Sequence, residues 1–333
     1  MSEKKERLIF DVTYQPQVRT IRDTQRLMLD VIVATLPIAG FAVYRFGWHV
    51  LLLMAASMAA AVFFEWAYRR LLKKSITIDD LSAAVTGLLL VMVLPPQTPI
   101  WMAVIGDFFA IVIVKQLYGG IGKNFLNPAL AGRAFLTASY SGVLTIVVID
   151  GVTSATPLSF LYGENPMPFS LSQNFFGAIP GSIGEISSFA ILAGAAYLIV
   201  RRVIRWRIPV SVIGTVAILT FVFGHSGYGR VEWMLHNVMA GGVLFTGIFM
   251  ATDYSTSPVT HGGQVVYGFG IGALTVLIRY FGGYAEGCSY AILIMNLCTW
   301  SIDKLCHRRQ FGFTRADAAA AKAAAKAAKK EAV

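Results

Sequence analysis

Apolar residues gather into ten stretches, near 27–44, 50–66, 81–94, 100–116, 129–149, 188–204, 208–224, 233–250, 264–282 and 287–302. Most approach the roughly 20 residues that a bilayer crossing requires. Short polar connections separate them, and several are interrupted by Gly or Pro. The pattern predicts an all-α polytopic membrane protein of about ten transmembrane helices. Segment 1–26 is polar and has no apolar core ahead of a small-residue cleavage site, so the first crossing is expected to begin near Leu27.

An internal repeat refines this picture. Thr86-Gly87 opens TGLLLVMVLPPQTP and leads to a helix ending VKQLYGG, while Thr246-Gly247 opens TGIFMATDYSTSP and leads to one ending LIRYFGG. One copy falls on the third and fourth stretches and the other on the eighth and ninth. Each unit therefore has five crossings, and an odd number inverts the second. The expected organisation is a cytoplasmic segment 1–26, a first five-helix repeat 27–149, an extracytoplasmic loop 150–187, an inverted second repeat 188–302, and a tail 303–333. Folds of this kind place substrate or ion sites near the midplane, between interrupted helices.

Composition agrees: 56% of the 333 residues are apolar and 14% charged, against about 25% charged in soluble domains. An ordinary soluble enzyme is excluded. The net charge of +10 would suit nucleic acid, but its distribution says otherwise. With a cytoplasmic N-terminus and alternating helices, 24 of the 28 Lys and Arg fall on the inner side, leaving Arg45, Arg133, Arg230 and Arg279. The charge is topological, both termini are expected in the cytoplasm, and nucleic acid is not an expected partner. The Ala/Lys-rich tail reads as a solvated helix touching anionic lipid. Cys288, Cys298 and Cys306 form no cluster-binding run.

Charges inside apolar spans mark functional candidates. Asp107 lies mid-span in VIGDFFAIV, and Asp253 in MATDYSTSP stands among hydroxyls that suit a hard cation or, equally, a capped turn. Asp303 ends the last span. These three are the candidates for ion coupling. Asp30 and Glu65, near helix ends, are explained by snorkelling or surface pairing. In KNFLNPALAGRAF, Asn127-Pro128 opens a helix and Arg133 lies within it. A half-helix start there would offer amides to an anion or a flavin's polar edge, with a plain entry cap as the other account. The loop from Asp150 to Ser187 has no Lys or Arg and carries Asp150-Gly151-Val152-Thr153-Ser154-Ala155-Thr156-Pro157. Thr156-Pro157 reads as a helix N-cap with an accessible hydroxyl.

That segment resembles the threonine flavinylation motif of the NqrB/RnfD family, the membrane subunits of the sodium-translocating NADH:quinone reductase and of the Rnf ferredoxin:NAD reductase. GGIGKNFLNPALAGRAF, DGVTSATPL, FMATDYSTSP and GGYAEGCSYAILIMNLCTWSIDK all look like this family, in its order. The resemblance implies FMN joined through a phosphoester to Thr156, with Asp150, Thr153 and Ser154 around it; the family usually has Gly where this chain has Ser154. It further implies a noncovalent riboflavin at no located site, a flavin transferase, iron–sulfur and flavoprotein partner subunits, export of Na+ or H+, and the bacterial inner membrane. The short N-terminal segment, ATDYSTSPVT and GGYAEG look more like the Rnf member of the family. A flavin-free solute channel or transporter is the reading from another class.

Overall fold

A computed structural model describes residues 24–306 apart from 145–146, 150–151, 155–156, 163–168, 178, 226 and 283–285. Asp150 and Thr156, the polar N-terminal segment and the Ala/Lys-rich tail lie outside the described residues.

Helices α1 (Thr24–Phe46) and α2 (Trp48–Leu71) have 23 and 24 residues, or about 35 Å at 1.5 Å per residue, enough to cross a bilayer with some tilt. The next element is much shorter: α3 (Ser82–Met92) has 11 residues, about half of a 30 Å hydrocarbon core. Every one of its residues is buried, so lipid touches none of its exposed backbone ends. Helix α4 (Ile100–Phe108) runs on as a π-helix over Phe109–Gln116. Helix α5 (Pro128–Ser139) begins where the sequence predicts: Asn127 Oδ1 accepts from the amides of Ala129 (3.1 Å) and Leu130 (3.3 Å), and Pro128 occupies the first turn.

The fifth span differs from expectation. The sequence pattern predicts helix to 149, but α5 stops at Ser139 and only the turn α6 (Ser141–Leu144) follows. Strand β1 (Val147–Ile149) then pairs antiparallel with β2 (Val152–Ser154), with Val148 opposite Thr153. The cause is the β-branched run Val147-Val148-Ile149, which favours extended backbone over a helix of the same hydropathy. Candidates Thr153 and Ser154 therefore lie on a ribbon strand. Short helices α7 (Pro157–Leu161) and α8 (Leu171–Phe176) complete the connection.

The second half comprises α9 (Ser188–Val200), α10 (Arg207–Phe223), α11 (Arg230–Met239), α12 (Val243–Phe245) continuing as a π-helix over Thr246–Met250, α13 (His261–Phe281) and α14 (Cys288–Leu305). Helix α11 and the Val243–Met250 stretch meet at a 63° bend. Among the described residues α1, α2 and α13 are each long and apolar enough to cross a membrane alone, and the bent pair makes a fourth span if counted as one. The remaining apolar stretches are thus built from shorter or broken helices, because Pro95-Pro96, Asn127-Pro128 and Gly241-Gly242 stop the backbone ladder part-way.

The two Thr-Gly pairs occupy matching places. Thr86 and Thr246 each bond the carbonyl four residues back, those of Ser82 (2.9 Å) and Gly242 (2.5 Å). Gly87 presses on α2, where a Cβ would come 2.8 Å from the Ser57 carbonyl oxygen; Gly247 faces α10, where a Cβ would lie 3.3 Å from Val212 Cγ1. The C-terminal Met92 of α3 and Phe245 of α12 both lie against Gly184, while Ser82 and Phe249 line one cleft at the other end. The stretches Ser82–Met92 and Val243–Met250 therefore run antiparallel.

The halves join through α1 and α9. Arg201 donates to both Asp30 oxygens at 3.2 Å, and the Tyr197 hydroxyl to one at 3.0 Å, so Asp30 is a pairing residue, as its position suggests. A Cβ on Gly194 would sit 2.3 Å from the Ala34 carbonyl oxygen. Backbone cannot yield as a side chain can, so Gly194→Ala is expected to cost about 1–3 kcal/mol, read as a lower melting midpoint of the detergent-purified protein.

Candidate functional site

A cleft opens at the end of the molecule that carries Arg69, Arg70 and Lys115. Its walls are apolar, from Val85 and Leu89 of α3, Leu198 of α9 and Phe249 of the second π-helix. Polar side chains line it as well: Ser82, Lys115, Asn124, Asn127, Asp253 and Ser255. Three interrupted elements meet here, the starts of α3 and α5 and the end of the Thr246–Met250 stretch. Asn127 ties two of them together, since its Nδ2 donates to the Met250 carbonyl at 3.1 Å. Its Oδ1 caps its own helix, so of the two accounts open at the level of sequence the entry cap holds for those amides.

One of these side chains, Lys115, belongs to a buried ion pair. Lys115 Nζ reaches Glu65 Oε2 at 2.7 Å and Ser82 Oγ at 2.6 Å. The Thr77 hydroxyl donates to Glu65 Oε1 at 3.0 Å, and Arg69 Nε lies 3.7 Å from that oxygen. Glu65 is 0% exposed, which corrects the expectation of a snorkelling or surface-paired carboxylate. The partner that makes burial tolerable comes from 50 positions away, beyond any local pattern.

The three acidic candidates for ion coupling occupy different settings. Asp253 closes a turn, accepting from Ser255 N (3.3 Å), Ser255 Oγ (2.9 Å) and Thr256 Oγ1 (3.3 Å), while facing the cleft. Asp303 joins the end of α14 to the start of α13 by accepting from Val259 N (3.2 Å) and Thr260 N (3.4 Å). Asp107 is fully buried just before α4 turns into a π-helix, and neither carboxylate oxygen has a hydrogen-bond partner. These residues do not form one cluster.

A second charged group sits at the opposite ends of the antiparallel stretches. Arg133 pairs with Glu286 and donates to Ser289 Oγ at 2.6 Å. Arg133 thus joins a side-chain network and not the cleft that Asn127 lines. Arg279, 3% exposed, donates to the carbonyls of Asn237 (2.6 Å) and Ala240 (3.3 Å), which end α11. Across the break, Glu185 is likewise 3% exposed, and its Oε1 would stand 2.6 Å from a Cβ on Gly242. The turn that carries it is held by the Ile183 and Gly184 amides, which donate to the carbonyls of Leu94 (3.1 Å) and Met92 (2.6 Å) beyond α3. Sequence reading missed Glu185, Glu286 and Arg279 as functional candidates. Arg279 alone left a signal, as a cation inside an apolar span.

The same end anchors the connection that follows Thr156. Pro157 and Leu158 are buried, and Leu158 packs with Leu161, Trp233 and Ala240 beside Gly241. The Trp233 ring stacks on His225 with centroids 4.8 Å apart, and its indole N–H donates to the Tyr280 hydroxyl at 2.7 Å.

The pattern of the NQR2, RnfD, RnfE family matches residues 11–312, almost the whole chain. The chain belongs to that family. Among relatives, the D subunit of the Na+-translocating ferredoxin:NAD+ oxidoreductase complex of Acetobacterium woodii is 44% identical over 312 residues, covering 91% of this chain and 96% of its own. The D subunit of the proton-translocating ferredoxin:NAD+ oxidoreductase complex of Clostridium ljungdahlii is 42% identical, covering 92% and 97%. The D subunit of the ion-translocating oxidoreductase complex of Stutzerimonas stutzeri is 33% identical, covering 86% and 92%. As a member of the NQR2, RnfD, RnfE family the chain is a polytopic membrane protein, in keeping with its broken and continuous apolar helices.

Proposed function

We propose that this chain is the RnfD subunit of an ion-translocating ferredoxin:NAD oxidoreductase complex, holding one flavin covalently on the 150–187 connection and a second, noncovalent one in the cleft. The observation that carries the first half is similarity along nearly the full length to two proteins that bear that name, at 44% and 42% identity. The threonine motif supports FMN on Thr156. Thr156 lies outside the described residues, and the support from structure is that its neighbours Pro157 and Leu158 are buried and held. Partners in this reading are the iron–sulfur and flavoprotein subunits of the complex and a flavin transferase, with membrane lipid around the helices. The distribution of basic residues supports a cleft on the cytoplasmic side of the inner membrane and a Glu185 end outside. The relatives' names differ in the ion, Na+ in one and H+ in the other, so identity alone does not select it.

The cleft suits a flavin by its chemistry. Apolar side chains on opposing walls would clasp a flat ring, and Lys115, Asn124 and Asn127 would meet its carbonyl edge. Bound there, a flavin supplies one- and two-electron transfer, and this chain's residues hold it and exclude water. The test is a flavin count on the native complex. Acid precipitation should leave one flavin on the chain, as a mass increment within 150–187, and release another as free riboflavin. Asn127→Leu should reduce the released flavin at least about tenfold, because one side chain both caps α5 and anchors Met250, while the bound increment stays. A chain with neither flavin would favour the flavin-free solute channel or transporter. Electron delivery to a quinone and not to NAD would point to the quinone-reducing relative.

A further inference from the structure

The helix break at Gly241-Gly242 leaves two sets of backbone groups without partners in the ladder, the carbonyls that end α11 and the amides that begin α12. Arg279 answers the carbonyls. On the amide side stands Glu185, yet its Oε1 has no hydrogen-bond partner. The Glu185 amide donates to the Ser182 carbonyl at 3.0 Å, closing the turn, while this carboxyl oxygen stays buried and unused. The charged and titratable groups that face it are Glu286, Arg133 and Arg279, with the Cys288 thiol close by. Of these Glu286 reaches furthest out, its side chain 24% exposed against 12% for Arg133.

We propose that Glu185 is a proton-exchange site, taking a proton on Oε1 and passing it to and from the outer face by way of Glu286. An unpartnered carboxylate as buried as this one is too costly to leave ionised and idle. A hard metal cation needs about six oxygens, and here it would face two guanidinium groups. A proton needs one oxygen. Glu185 lies on the turn between α8 and α9, outside the helices, where burial pushes its carboxyl up from the ordinary value and Glu286 adds to the push, opposed by Arg133 and Arg279. The step is balanced without a redox partner: Glu185 gains a proton as the Glu286 side loses one, and Arg133, paired with Glu286, keeps its charge. This deepens the ion-translocating reading and rests on it, by assigning the ion handled at the outer end of the broken helix.

The test uses the assembled, flavin-loaded complex. Infrared difference spectra should show a protonated carboxylic acid band that Glu185→Gln removes, and dicyclohexylcarbodiimide should label Glu185 less as pH rises. Glu286→Gln should leave the band but slow its hydrogen–deuterium exchange from the outer side. In proteoliposomes Glu185→Gln should slow ferredoxin-driven proton release about tenfold or more. Should Glu185→Gln fail to assemble, the wild-type band and the Glu286→Gln exchange rate still decide. The proposal is overturned if wild-type complex shows neither band nor adduct, or if Glu185→Gln releases protons at the full rate. Failure of the wild-type complex to reduce NAD from ferredoxin would sink the broader reading and leave the acid band as a separate result.

Discussion

Thr156→Val yields a folded, membrane-inserted subunit with no covalent flavin. In the phosphoester reading the hydroxyl oxygen is the single point of attachment, and valine keeps the shape while removing that atom. The structure gives reason to expect the fold to survive. Leu158, which holds the following turn against Trp233 and Ala240, and the buried Pro157 are unchanged by the substitution. Loss of the N-cap that Thr156-Pro157 predicts would cost about 1 kcal/mol, small against the packing of Leu158 and Leu161. The expected result is loss of the flavin fluorescence that persists on the denatured band, with an unchanged melting midpoint within a few degrees. Thr153→Val, on β2, should retain the flavin. A flavinylated peptide from the Thr156→Val protein would move the attachment elsewhere.

The second large effect concerns the ion pair at the cleft. Lys115→Met leaves Glu65 fully buried with the Thr77 hydroxyl and a distant Arg69 as its neighbours. Breaking a buried pair from one side costs about 3–5 kcal/mol, whereas replacing both partners is often neutral. Lys115→Met should therefore collapse the yield of folded protein, and the double replacement Glu65→Gln with Lys115→Met should recover most of it. The comparison among wild type, both single variants and the double isolates the coupling. A double variant no more stable than Lys115→Met would mean that Lys115 acts on Ser82 and the start of α3 alone.

The fold is legible in the sequence where local chemistry decides it. The Asn127-Pro128 start of α5 and the matching places of the two Thr-Gly pairs follow from residue types within a few positions. The end of α5 is not, because hydropathy does not distinguish a lipid-facing helix from a β-branched strand such as Val147–Ile149. Half of the cleft is legible too: Asn127 and Asp253 line it, as motif residues. What the chain hides is pairing across distance. Glu65 looks like an end-of-helix carboxylate until the fold brings Lys115 to it. Glu185 sits in a Gly-Ser-Ile-Gly-Glu stretch with every mark of a surface loop, but the Ile183 and Gly184 amides that bury it are bound to carbonyls near the end of α3, about 90 positions earlier.

The antiparallel course of Ser82–Met92 and Val243–Met250 has an electrical consequence. Each helical stretch has a positive pole at its amino end and a negative one at its carboxyl end. Because the two run in opposite directions, their dipoles oppose each other, and neither adds to the other's slope in potential between the cleft and the Glu185 end. As far as this pair is concerned, a preference for one direction must be written in side chains. Those differ sharply: Glu65 answered directly by Lys115 at one pole, and at the other Glu185 facing two guanidinium groups with an oxygen to spare.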